Sequence, residues 1–489
     1  MRRPLQGRAA LAAVVVVAAG LGARAAEPPR PSDEDIFGPP PAGTSTEEAP
    51  KKPEAPTETP AAPPAPVVKE HVDPLAIGGI LYLRSYVSGS EGAGAGDWSL
   101  SLPSIADGYL DARPNDRVRG LVLGRMFFDP TSTTSVTSTL AGAGAGVTTA
   151  SAGATPHMVL DQMWLKFDIE HTVFVTAGRQ HVKWGAAHFW TPTDFLHSQQ
   201  LNPLSVFDER TGTTMVKLHL PWESKGWNFY GVTAFDLDQP STNLRSVAGA
   251  ARAEVVLGTV ELGADVLARN GTKPRIGVDG SAGIGQVDVY VESALTTRET
   301  QRYRLAGAPC VDLVLEHLAR QCAVVQDDYF SPATSVGLNW SYKYSDEDSV
   351  TFGAEVFYNP SGYADSAIYP LAAYTGQLVP FYAGRLYAGA YVLLPKPGSW
   401  NNTTINLATL GNLSDRSFIS RLDWMVLVLT YLQVEAFGAV HYGHAGGEFR
   451  FAASIPPWTV GDPPNQRYYP GIEVPAPVFE AGLALRLAL

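Results

Sequence analysis

RVRGLVLGRMFF, residues 117–128, carries two faces at a period of two. Val118, Gly120, Val122, Gly124, Met126 and Phe128 make one face, and Arg117, Arg119 and Arg125 share the other with Leu121, Leu123 and Phe127. Successive side chains of a strand point to opposite sides, and about ten residues suffice for a tilted strand to cross a bilayer. Arginine is costly in hydrocarbon, so the arginine face is expected to line a watery lumen and the other to meet lipid. Residues 173–184 repeat the pattern, with Phe174, Thr176, Gly178, Gln180, Val182 and Trp184 alternating with Val175, Ala177, Arg179, His181 and Lys183. Val478 to Leu489 alternates in the same way and is expected to be the closing strand.

The links between such segments alternate between short and long, as in outer-membrane barrels with short periplasmic turns and long extracellular loops. Short links fall near 114–116, 169–172, 221–225, 258, 281–283, 345–348, 395–402 and 430–431. The longer ones are 88–103, 129–156, 185–210, 237–245, 298–331, 359–380 and 443–477, with two outer links, 270–274 and 412–416, shorter than the rest. The expectation is an all-β, transmembrane up-and-down antiparallel β-barrel of about 18 strands, with 16 as the alternative. A soluble β-sandwich or solenoid would share the alternation of strands, but not the alternation of link lengths. Aromatics near many strand ends, Tyr82, Phe127, Trp164, Trp184, Trp227, Trp340, Tyr358 and Trp424, are expected to form interfacial girdles.

Residues 1–25 are expected to be a signal peptide: Arg2, Arg3 and Arg8 precede an apolar run from Ala9 to Leu21, and Ala23-Arg24-Ala25 is a small-x-small cleavage site. Residues 26–74, rich in Pro, Ala, Thr and Glu, bury too little apolar surface to offset ordering entropy and are expected to form a disordered periplasmic arm. Residues 75–489 then form the barrel. The net charge of −12 argues against nucleic acid as a partner. Cys310 and Cys322 stand close together, and in an oxidising compartment they suggest one local disulfide.

The segment AGRQHVKWGAAHFWTPTDFLHSQQLNPLSVFDERTGTTMVKL, residues 177–218, resembles a strand and loop of bacterial outer-membrane porin-like and export barrels, in which G-R-Q-x-x-x-W-G precedes a loop with P-x-D and N-P. The matching residues are Gly178, Arg179, Gln180, Trp184, Gly185, Pro192, Asp194, Asn202, Pro203 and Gly212. EVFYNPSGY at 355–363 and NLSD at 412–415 are similar to a strand-to-loop junction and a late turn of the same group, which includes relatives of alginate-export channels. The resemblance implies passive diffusion of a hydrophilic solute through an aqueous lumen. Leu489 stands where such barrels usually end in an aromatic residue.

If the strands alternate as read, Arg117, Arg119, Arg125, Gln162, Lys166, Arg179, His181 and Lys183 form a basic wall in the lumen, which favours passage of anions. Acidic residues such as Glu254, Glu261, Asp265, Glu292 and Glu355 are the expected neutralising partners. The segment 185–210 is the candidate constriction loop, with Asp194, Asp208 and Glu209 as its acids and Arg179 or Lys183 as partners for Asp194 or Asp208. His441-x-x-His444 would point its two rings to opposite sides of a strand, and no nucleophile motif or phosphate loop appears, so neither catalytic residue, metal nor cofactor is expected. The expected partners are outer-membrane lipid and lipopolysaccharide, a small hydrophilic solute that the basic wall would make anionic, peptidoglycan or an envelope protein through the arm, and further copies of the chain.

Overall fold

The computed structural model describes residues 74–131, 155–197, 199–205, 208–237, 243–297, 301–304, 323–326, 330–346, 348–374, 378–455, 457–460, 467–469 and 472–489. The expected signal peptide, nearly all of the arm and the cysteine pair Cys310 and Cys322 lie outside the described residues.

The chain forms a closed antiparallel β-barrel of 18 strands. In chain order these are β1 (Leu75–Ser90), β2 (Ser104–Asn115), β3 (Val118–Phe128), β4 (His157–Ile169), β5 (Val173–Gln180), β6 (Thr213–Trp222), β7 (Trp227–Ala234), β8 (Ala248–Leu257), β9 (Val260–Arg269), β10 (Arg275–Ile284), β11 (Val287–Thr297), β12 (Phe330–Lys343), β13 (Ser349–Tyr358), β14 (Leu386–Pro395), β15 (Thr403–Asn412), β16 (Ser417–Leu429), β17 (Leu432–Gly443) and β18 (Pro477–Ala488). Each pairs with its neighbours in sequence, and β18 closes the ring on β1, from Ile80 opposite Ala488 to Ser90 opposite Pro477. Closure is what hydrocarbon demands, because a backbone N–H or C=O left unpaired there has no water to turn to. Both ends of the described chain lie at the short-turn, periplasmic rim.

Outward positions are apolar and bare: Leu110, Val122, Leu165, Leu218, Leu262, Val336, Leu422 and Leu483 are all exposed. A water-soluble protein rarely leaves so continuous an apolar surface uncovered, and here lipid covers it. The barrel is an outer-membrane protein on this ground. Trp222 and Trp227 meet edge to face beside the periplasmic turn they flank, while Trp340 stacks on Phe352, and Trp424 lies at the same rim. Tyr358 and Tyr442 are exposed at the opposite rim. Half of the expected girdle is corrected: Tyr82, Trp164 and Trp184 are buried inside, and Phe127 packs with Tyr82 and Ile105 on the inner wall.

One link shifts. The turn expected at 281–283 falls at Gly285-Gln286, where the positive φ of Gly285 (66°) supplies the left-handed backbone of a tight hairpin. The loop after β5 does not stay outside, and that decides the interior.

Candidate functional site

β5 stops at Gln180. Gly178 has φ 127°, and a Cβ there would collide with the carbonyl of Met163 on β4, so glycine is needed for the wall to continue to this point. From His181 the backbone leaves the sheet and rejoins it only at Thr213. Between these points the chain runs into the lumen: Trp184, Phe195 and Leu196 pack on the inward side chains of Met215, Val232, Leu267 and Ala294.

Two carboxylates of the far wall hold this loop. Glu292 on β11 accepts hydrogen bonds from the backbone N–H of Ala187 (2.9 Å) and from the N–H and hydroxyl of Thr193 (2.7 and 2.8 Å). Glu355 on β13 accepts from the N–H groups of His188, Phe189 and Trp190 (2.8, 3.0 and 2.8 Å) and from the Tyr290 hydroxyl (2.8 Å). Both side chains are essentially sealed, at 0% and 2% exposure. Buried carboxylates survive only when their lone pairs are matched, and here most of the donors are neutral backbone groups of the loop. Gly185 lies against the Glu292 carboxylate, leaving no room for a side chain. Trp190, fully buried, stacks on Phe357 and donates its indole N–H to the Phe381 carbonyl (3.0 Å), while Ser335 donates to the Trp190 carbonyl (2.7 Å).

The returning limb is held by charge. Asp194 pairs with His197 (2.8 Å) and Arg210 (2.9 Å), Asp208 pairs with Arg210 (2.7 Å), and Glu209 reaches Arg84 on β1 (3.0 Å). Burial raises the Asp194 and Asp208 carboxyls, but His197 and Arg210 outweigh it and hold both below the usual carboxylate range. The expected partner Arg179 instead pairs with Asp236, and Arg210 on the loop itself holds both acids. Phe207, another aromatic of this segment, lies outside the described residues.

The residues of the expected basic wall fall into four places. Arg119 and Arg125 face inward and are ion-paired, Arg119 with Asp111 (2.8 Å) and Arg125 with Asp107 (2.9 Å) and Asp161 (3.2 Å). Lys166 lies over the inward ring of Phe174, and Gln162 accepts from the Trp164 indole N–H (3.0 Å). Arg117 is half-exposed at the periplasmic turn, paired with Asp168 (3.1 Å). His181 bonds Asp161 (2.6 Å) from the loop rather than from a strand, and Lys183 is exposed between buried Val182 and Trp184. Arg179 is corrected outright. Its register partners Met163 and Thr214 face outward, and it pairs with Asp236 (3.0 Å) at the extracellular rim. Of the expected neutralising acids, Glu254 and Asp265 pair instead with Arg252, which also holds Asp279, and Glu292 and Glu355 are the loop anchors.

Two further loops meet the first. Glu448 accepts from the Tyr387 hydroxyl (2.6 Å) and the Asn412 amide (2.8 Å), and Asp415 accepts from the Tyr369 hydroxyl (2.9 Å) and the Glu448 N–H (2.8 Å). Phe381, Phe449 and Tyr387 join Phe189 and Trp190 in one aromatic cluster. The segments quoted for the family resemblance are thus where loops enter or dock: Gly178 and Gly185 at the entry, Glu355 and Phe357 under Trp190, Asn412 and Asp415 under Glu448. His441 bonds the Phe449 carbonyl (2.7 Å) and faces Glu480 on the inner wall, while His444 is exposed, so this pair forms no joint site.

A cluster absent from the sequence reading lies at the loop's root, where His181, His197 and Asp208 place one ligand atom each within 4.8 Å of the others.

No family model matches the sequence, and no curated protein is significantly similar to it. In fold the chain is similar to a triple mutant of Rhodopseudomonas blastica porin (TM-score 0.38, 10% identity, 85% of this chain and 100% of that one). It is also similar to OccAB4 of Acinetobacter baumannii (0.48, 6%, 86% and 99%) and to OccK9 of Pseudomonas aeruginosa (0.49, 10%, 85% and 98%).

Proposed function

We propose that the protein is an outer-membrane channel through which a small hydrophilic solute diffuses passively, with residues 181–212 as its constriction. The observation that carries this reading is the loop's path. It leaves the wall at β5, almost half the ring away from β13, and is pinned there inside the lumen by Glu292 and Glu355. A loop meant only to cap the barrel has no need of two sealed carboxylates on the far wall. Asp194, Asp208 and Glu209 belong to this constriction, and with Arg210 and Arg84 they present matched charge to the path.

The solute's charge follows from the wall. Unpaired guanidinium groups would favour anions. Arg119 and Arg125 are each matched by aspartate, so the wall offers alternating dipoles to a polar solute and only weak ion selectivity. The alginate-export likeness rests on the quoted motifs alone.

A second reading, an occluded barrel with a structural or binding role, draws on the docking of the 359–385 and 444–455 segments beside Trp190. Planar-bilayer recording of the refolded protein in a salt gradient separates the two. Steady unitary steps with a small reversal potential support the channel; silence from protein shown to be folded by heat-modifiable migration supports occlusion.

A further inference from the structure

We propose that His181, His197 and Asp208 bind a divalent transition-metal cation, zinc being the best fit, at the root of the inward loop. His181 Nε2 lies 2.6 Å from Asp161 Oδ1, and His197 Nδ1 lies 2.8 Å from Asp194 Oδ1. A carboxylate beside one ring nitrogen fixes the proton there and leaves the lone pair on the other. The two remaining nitrogens, His181 Nδ1 and His197 Nε2, face each other at 3.3 Å. A proton held on the carboxylate side of each ring turns both facing nitrogens toward one point, where a single cation can take a lone pair from each.

The spacing names the centre. Nitrogen ligands bind zinc at about 2.0–2.1 Å, and two of them in a tetrahedral shell lie about 3.3–3.4 Å apart. The Asp208 carboxylate lies within 4.8 Å of both nitrogens and supplies the third donor, sharing its oxygens with Arg210. The carboxylate–histidine pairs are the outer-shell arrangement that orients metal-binding imidazoles. Charge agrees: Asp107, Asp161, Asp194 and Asp208 surround the site against the two guanidinium groups of Arg125 and Arg210, a surplus of acid suited to a dication. His197 is sealed, whereas the side chains of His181 and Asp208 are 16% and 20% exposed, so the fourth coordination position opens toward solvent. The bound ion would tie β4, through His181 and Asp161, to the returning limb of the loop. The site stands whether or not the barrel conducts.

The test is titration of chelator-treated, folded full-length protein with Co2+ alone, followed by competition with Zn2+. The expected result is one equivalent bound, visible absorption of low-coordinate Co2+, and displacement by Zn2+. His181→Gln and His197→Gln should each lose more affinity than the roughly 10–100-fold expected of Asp161→Asn or Asp194→Asn. His157→Ala, which removes an exposed histidine at the start of β4, should change nothing. Should the glutamine variants fail to fold, X-ray absorption of the Zn2+-loaded wild type decides. Two imidazole nitrogens in the shell support the site, and an oxygen-only shell, or no stoichiometric binding, overturns it.

Discussion

Two parts of the inner wall carry buried carboxylates, and they use them differently. On β2–β4, Asp107, Asp111 and Asp161 face the guanidinium groups of Arg119 and Arg125 on the neighbouring strand β3. On β11 and β13, Glu292 and Glu355 face backbone N–H groups of a segment more than 90 residues earlier in the chain. The first arrangement ties the wall to itself, and the second ties a loop to the wall. A buried charge pair is strongly destabilising to break, because one partner is left without compensation. A carboxylate held by neutral donors, once removed, frees the loop to find water instead. The two regions should therefore fail in different ways.

The largest expected effect is on the strand side. Arg125→Met leaves Asp107 without its guanidinium partner and Asp161 with His181 alone, beside a fully buried position, and should lower barrel stability by about 3–5 kcal/mol. Urea titration followed by heat-modifiable migration reads this, and an unchanged midpoint would dissolve the contrast. Next comes Glu355→Ala, which strands three N–H groups and the Tyr290 hydroxyl until the loop relaxes into water, leaving a net cost of about 1–3 kcal/mol. Limited proteolysis should then cut between 185 and 205 while the barrel itself keeps its migration.

A smaller effect is set by pH. Burial first, with Asp415 adding to it against the Tyr387 hydrogen bond, pushes the Glu448 carboxyl from its ordinary 4.5 up to about 7. Its folded-state value is raised, so its contribution is fully present below about 4.5 and is lost as pH rises through about 7. Hydrogen exchange at the Ala383 amide, which Glu448 accepts, should be faster relative to a fixed reference amide at pH 8 than at pH 5, and Glu448→Gln should flatten that difference. The smallest effects concern selectivity. Asp111→Asn weakens the match to Arg119 and should move the reversal potential slightly toward anions, as removal of one lumen charge requires. Arg179→Gln should leave it unmoved, since that side chain faces outward.

The barrel was legible because its signals are local. A period of two in RVRGLVLGRMFF and the alternation of link lengths carry strand number and sidedness, and β3 and β18 lie where their patterns place them. Arg179 was misplaced because the rule that arginine avoids lipid applies only at hydrocarbon depth; at the extracellular rim an outward Arg179 meets Asp236 instead. Tyr82 and Trp164 read as girdle residues because nearness to a strand end does not say which face a ring takes, and Tyr82 points inward to Glu435. The loop anchors were invisible for another reason. Glu355 meets Trp190 across 165 residues, and His181 meets His197 across 16 residues of irregular chain, separations that no repeat encodes.

The most direct test of the account is single-channel recording of the Glu292→Ala, Glu355→Ala double variant beside the wild type, at one salt concentration and with folding verified for both. If the loop narrows the path and these two carboxylates hold it there, the double variant should conduct more per channel and flicker, as the freed loop moves in and out of the lumen. Equal conductance and equal noise in the two proteins would contradict the claim that residues 181–212 set the channel's width.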